Sequence, residues 1–177
     1  MTDIHTHQPG DLLVTRSEGF AGAAIRLGAA LRGEPNLCNH VAVIHHTDAK
    51  GTTWCLEGRP GGVGWRDARD YLRSPWTVSN WGQPKTAAQR NTVIITTLAM
   101  IGKPYDWQAI ADDAFKALGM PLNEAWNLTD GTVPGHVVCS SLAAYAYAKA
   151  GLGHPAGDRL VSPGDWLQLI ISSGWNE

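Results

Sequence analysis

The chain has 177 residues, 44% of them apolar and 17% charged, with a formal net charge of -2 spread over both signs. That length buries one sizeable core and leaves too little chain for two, so a single domain over residues 1–177 is expected. The charge balance carries no footprint for nucleic acid or for an anionic membrane surface.

Cys38, Cys55 and Cys139 are odd in number and lack CxxC spacing, which argues against a disulfide framework and a structural zinc cluster and predicts a free thiol. No phosphate loop or dinucleotide fingerprint occurs, so no cofactor is expected. The start, MTDIHTHQPGD, has no basic stretch followed by an apolar run, and no segment reaches the roughly eighteen unbroken apolar residues of a membrane span. The expectation is a cytoplasmic protein without a membrane span, or a phage-encoded or otherwise delivered one. Eight Trp against two Phe read mainly as core volume, with stacking at a cleft edge as their other use.

In chain order, Gly10-Asp11-Leu12-Leu13-Val14-Thr15 predicts a turn and a short buried strand, and Ser17 is the expected cap of an Ala-rich helix through about Leu31. His40 to His45 reads as a core strand, with Thr53 to Glu57 as its hairpin partner. Gly58 to Gly64, with four glycines and a proline, reads as a loop, and Val78 to Trp81 as another strand. Thr86 with Gln89 forms a capping box opening a helix to about Ile101. Asp106 is the expected cap of a helix through Leu118, Asn123 to Gly135 reads as a loop, and Val137 to Lys149 has helical spacing ended by Gly151. Ser162-Pro163-Gly164-Asp165 starts a final helix. Strands early and helices late predict an α+β fold, a small antiparallel β-sheet or half-barrel packed against helices.

Cys139 follows an extended Val137-Val138 and opens a helix, where unpaired amides and the positive end of the helix dipole stabilise a thiolate. An ordinary thiol is only a few per cent ionised at neutral pH, so a histidine is needed beside it. Of the seven histidines, His5 and His7 lie in the terminus, His136 and His154 on loops, His45 and His46 at a strand end, while His40 opens a strand and is the most rigidly placed. Glu57, closing the partner strand, is positioned to take the second ring N–H of His40 and fix its tautomer. The residue types alone leave each of the three open: a buried structural thiol, a satisfied strand-end histidine and a solvated hairpin glutamate are equally ordinary.

Ile101-Gly102-Lys103-Pro104-Tyr105-Asp106-Trp107, then Val138-Cys139-Ser140-Ser141-Leu142 and Ala150-Gly151-Leu152, resemble the catalytic helix region of NlpC-type cell-wall peptidases, which carry G-x-P-Y-x-W before a D-C-S-G-L nucleophile. In ordinary members a G-D-L strand and an H-V-G-I-Y strand follow the cysteine. Here Gly10-Asp11-Leu12 and His40-Val41-Ala42-Val43-Ile44 precede it, which looks like a circular permutation of a papain-like fold. With Glu57, the Gly61-Gly62-Val63 turn and the Ser162-Pro163-Gly164-Asp165-Trp166 ending, the arrangement is similar to the YiiX-like branch of that superfamily. Val138 and Ser141 depart from the Asp and Gly of the ordinary nucleophile motif.

The resemblance implies Cys139 as nucleophile, His40 as base, Glu57 as orienting residue and Tyr105 as a support for an oxyanion, with Cys38 and Cys55 structural. It implies hydrolysis of amide bonds in peptidoglycan stem peptides or other small peptides. Two rivals stand beside it: a lipid acyltransferase or thioesterase similar to lecithin retinol acyltransferase, and a non-catalytic ligand-binding module or one binding metal through His5, His7, His45 and His46.

Overall fold

The computed structural model describes residues 7–18, 20–31, 33, 37–107, 135, 137–155 and 161–176. In order these form β1 (Leu12–Thr15), α1 (Phe20–Leu31), β2 (His40–Thr47), β3 (Thr53–Arg59), β4 (Gly62–Asp67), the one-turn α2 (Arg69–Leu72), β5 (Val78–Ser79), α3 (Ala87–Leu98), α4 (Cys139–Lys149) and α5 (Pro163–Ser172). The five strands make one antiparallel sheet in the order β4-β3-β2-β1-β5, giving the expected α+β class.

Side chains alternate across a strand, and both faces of this sheet are covered. Leu12, Val14, Val41 and Val43 project to one side and pack on Ala143, Ala144 and Tyr147 of α4 and on Trp166 and Ile170 of α5. Leu13, Ala42, Ile44 and Cys55 project to the other and meet Ala68 and Leu72. Helix α4 is buried from Cys139 to Tyr147, which its Ser- and Ala-rich sequence permits by keeping the helix slim. Each fully enclosed side chain of the size of Leu12 or Ile170 contributes about 1.5–3 kcal/mol.

Both predicted capping boxes form, Thr86 with Gln89 at α3 and Ser162 with Asp165 at α5. Other expectations need correction. Gly58 to Gly64 is not a loop: β3 runs to Arg59, β4 starts at Gly62 opposite it, and only Pro60 and Gly61 turn the chain. The reason for the glycine is tertiary, since Gly62 has φ +105° and a Cβ there would lie 2.7 Å from the Lys103 carbonyl oxygen. Ser17 does not cap α1; its N–H and hydroxyl bond Oδ1 of buried Asn39 at 2.7 and 3.1 Å, and the helix starts at Phe20. The helix predicted to run to about Ile101 gives way to turns after Leu98, and the strand at Val78 spans two residues. Among the described tryptophans only Trp166 is fully enclosed; Trp65, Trp76, Trp81 and Trp107 are exposed, so core volume was the wrong reading for most of them. The helix expected from Asp106 to Leu118 and the loop from Asn123 to Gly135 fall almost wholly outside the described residues. No described helix is long and apolar enough to cross a membrane.

Candidate active site

Val138 is extended (φ -98°, ψ 163°), so Cys139 is the first helical residue of α4. The first bond within the helix is from the Leu142 N–H to the Val138 carbonyl at 3.0 Å, which leaves the amides of residues 139–141 without a carbonyl partner inside the helix. The sheet opens beside them. Strands β2 and β3 pair from Thr47–Thr53 as far as Val43–Leu56, and Val41 lies beyond the last pair. Its N–H donates to the Cys139 sulfur, as do the Ser140 N–H and the His40 side chain. On β3, Gly58 runs so close to the helix start that a Cβ would sit 3.2 Å from the Cys139 nitrogen and 3.3 Å from the Val138 carbonyl carbon.

His40 is held from its other side by Glu57, with Nε2 2.8 Å from Oε2, which leaves Nδ1 to face the sulfur. Burial by itself lowers the pKa of His40, but the charge and hydrogen bond of Cys139, followed by those of Glu57, override it and raise the value from 6.5 to about 10. Burial by itself raises that of Cys139; the charge and hydrogen bond of His40 and the two backbone N–H groups bring it below the ordinary 9.0. For Glu57, burial is again outweighed, first by the His40 hydrogen bond and charge and then by Tyr71 and Arg59, and the carboxylate stays below its usual range.

The remaining cysteines show what decides the ionisation. Cys55 donates its S–H to the Arg66 carbonyl at 3.4 Å and Cys38 to the Trp76 carbonyl at 3.4 Å. Burial pushes the Cys38 thiol up to about 11 and the Cys55 thiol higher still. All three sulfurs are buried, but among the described residues Cys139 alone is given N–H donors, and a surrounding of donors favours the anion.

Tyr105 is tied through the backbone to the segment that leads into Cys139. It forms a parallel bridge with Val137, and the Val137 N–H bonds the Pro104 carbonyl at 3.1 Å. The turn before it is anchored to β4 by Val63 N–H to Lys103 O at 2.9 Å and Gly102 N–H to Val63 O at 3.0 Å. Burial, followed by the negative charges of Cys139 and Asp106, keeps the Tyr105 phenol protonated far above its ordinary range, so it is a hydrogen-bond donor. A cleft of about 650 Å³ opens over His40, Glu57, Gly58 and Tyr105, with Arg16, Arg59, Arg66, Glu18 and Asp70 also on its walls. Four residues from distant parts of the sequence thus meet at one end of the sheet.

No family model matches the chain, and no curated protein matches it. Among solved structures it is similar to the metalloprotein yiiX from Escherichia coli O157:H7, with a TM-score of 0.52 and 15% identity, covering 82% of this chain and 67% of that one. The fold is YiiX-like.

The neighbour's description as a metalloprotein raises the question of a metal here. Among the described residues no group of three or more His, Cys, Asp or Glu side chains is placed to hold one. His45 and His46 bond each other through their Nδ1 atoms at 2.9 Å and pack edge-on against Trp65, while His5 lies outside the described residues. The described part of the YiiX-like fold therefore does not fit a metal ion.

Two neighbours of the site carried no signal in the sequence. The Tyr71 hydroxyl donates to Glu57 Oε2 at 2.6 Å, and Arg59 Nη1 stands 3.4 Å from Glu57 Oε1. Tyr71 lies between Gly64 and Val78, where no element is expected from the sequence, and nothing in its surroundings marks a one-turn helix that points back at Glu57. Arg59 was hidden in the glycine-rich stretch taken for a loop, although two-residue alternation from Glu57 puts it on the same side of β3.

Proposed function

We propose that this chain is a cysteine-dependent hydrolase of amide bonds with a circularly permuted papain-like fold. The observation that carries the reading is the surrounding of Cys139: its sulfur accepts from Val41 N–H, Ser140 N–H and a His40 ring whose other nitrogen is held by buried Glu57. The resting pair is a thiolate and an imidazolium. The thiolate attacks the substrate carbonyl carbon, and the negative oxygen is met by the Cys139 N–H at the helix start and by the Tyr105 hydroxyl. As the C–N bond breaks, His40 passes its proton to the leaving amine, and an acyl thioester to Cys139 remains. Neutral His40 then takes a proton from water; the hydroxide displaces the sulfur, releasing a carboxylic acid and restoring the pair. Glu57 keeps the ring oriented throughout.

The substrate class suggested by the sequence resemblance is a peptide, with peptidoglycan stem peptides as the first choice. The cleft sets Arg16, Arg59 and Arg66 beside Ile25, Tyr105 and Trp107 and most of its surface is apolar, so its walls suit a peptide with apolar side chains and a fatty acyl group alike, and the substrate screen includes both. The test is a hydrolysis screen on peptidoglycan fragments, peptide amides and acyl esters with wild type and Cys139→Ala. Turnover of a peptide amide by wild type alone supports the proposal. Equal turnover by both proteins, or tight ligand binding without turnover by either, overturns it.

A further inference from the structure

We infer that Tyr71 is a positioning residue for this site, its hydroxyl holding the Glu57 carboxylate in line with His40. The inference rests on the cysteine-hydrolase reading and adds to it a residue that the resemblance did not assign.

Glu57 is fully buried on β3, so protein groups are left to orient its carboxylate. Its Oε2 receives two short hydrogen bonds, from His40 Nε2 at 2.8 Å and from Tyr71 Oη at 2.6 Å. Two donors on one oxygen fix the plane of the carboxylate as well as its position, which one donor does not. Its Oε1 has no hydrogen bond and faces only Arg59 at 3.4 Å, on a side chain 41% exposed. Among the described residues, half-buried Tyr71 is thus the one hydrogen-bond donor, other than His40 itself, that tells the carboxylate where to point.

The tyrosine is in turn held firmly. Asp67 Oδ1 accepts the Arg69 N–H at 3.0 Å and so turns β4 into α2, while the Thr77 hydroxyl donates to the Tyr71 carbonyl at 2.6 Å. Its ring lies 5.5 Å from that of His40, so the same side chain limits imidazole rotation. The ionisable groups around the hydroxyl are Glu57 and Cys55 of β3, Arg66 of β4 and, through Glu57, His40 of β2 and Arg59 of β3.

The test is Tyr71→Phe, which removes the hydroxyl and keeps the ring, read by the pH profile of Cys139 alkylation. With the hydroxyl gone, Glu57 holds the imidazolium less well, so the acid limb of the profile should move up by about one pH unit, and kcat should fall about tenfold with KM unchanged. In a Glu57→Gln background the same substitution should change neither quantity further. A Tyr71→Phe profile superimposed on wild type, or an equal effect with and without Glu57, overturns the inference while leaving the hydrolase reading intact. A wild-type protein whose Cys139 is not alkylated below about pH 8 overturns both.

Discussion

Strands β1 and β2 carry a buried charged cluster at each end of their shared ladder, and the two clusters differ in what their charges face. At one end, next to Ile44, the carboxylate of Asp11 takes Lys85 Nζ at 3.0 Å and Arg90 Nη1 at 2.8 Å, with the Lys85 and Asp11 side chains both buried. Lys85 also donates to the Asn80 and Gln83 carbonyls, and Tyr147 closes the network through Gly10 O and Asn80. Every charge there is turned inward onto the chain. At the other end, where His40 pairs with Thr15, Glu57 and His40 line an open cleft and their charges lead to the buried Cys139 sulfur. The same cost of burying charge is met twice, once to tie the N-terminal strand to the segment before α3, and once to lower the pKa of the Cys139 thiol.

Four substitutions sharpen that contrast. His40→Ala takes away both the proton donor and the partner of the thiolate, and should lower hydrolysis by about 10³-fold or more; it also leaves the Glu57 carboxylate buried without its imidazolium, so the urea midpoint should fall too. Asp11→Ala should act on stability alone: it leaves Lys85 buried without its carboxylate and should cost about 3 kcal/mol of stability by urea unfolding, with the pH profile of Cys139 alkylation unmoved. A shifted profile would mean that the two ends of the ladder are coupled. Gly58→Ala pushes a methyl group against the start of α4 and should cost about 1–3 kcal/mol and slow turnover as well, because the atoms displaced are the backbone that carries Cys139. Glu57→Gln keeps the shape but removes the charge, and about a tenfold loss of kcat is expected.

The legible parts of the molecule were those whose signals are local. Apolar β-branched runs gave β1 and β2, Thr86 and Ser162 with their partners three residues on gave the starts of α3 and α5, and the change from Val-Val to Cys-Ser-Ser marked the start of α4. The order of the motifs, with the His40 strand ahead of the Cys139 helix, was also readable because it is a property of the sequence itself. What was missed depends on contacts between distant segments. Glycine at 62 answers to the Lys103 carbonyl as well as to its positive φ after the Pro60-Gly61 turn, and a glycine cluster gives no sign of the first of these, so β4 was invisible. Ser17 looked like a cap because Asn39, its partner, lies far along the chain. Tyr71 could be placed only once β4 and α2 were known, and the exposed Trp residues carry no local mark that separates them from Trp166.

The account turns on the charge state of one sulfur, and the direct measurement is the ultraviolet absorbance of thiolate against pH in wild type, with Cys139→Ala subtracted. For the proposed thiolate–imidazolium pair, the predicted curve has its midpoint below the ordinary 9.0, with the His40 pKa raised to about 10. A difference spectrum that stays flat until about pH 9, as for an ordinary buried thiol, would contradict it.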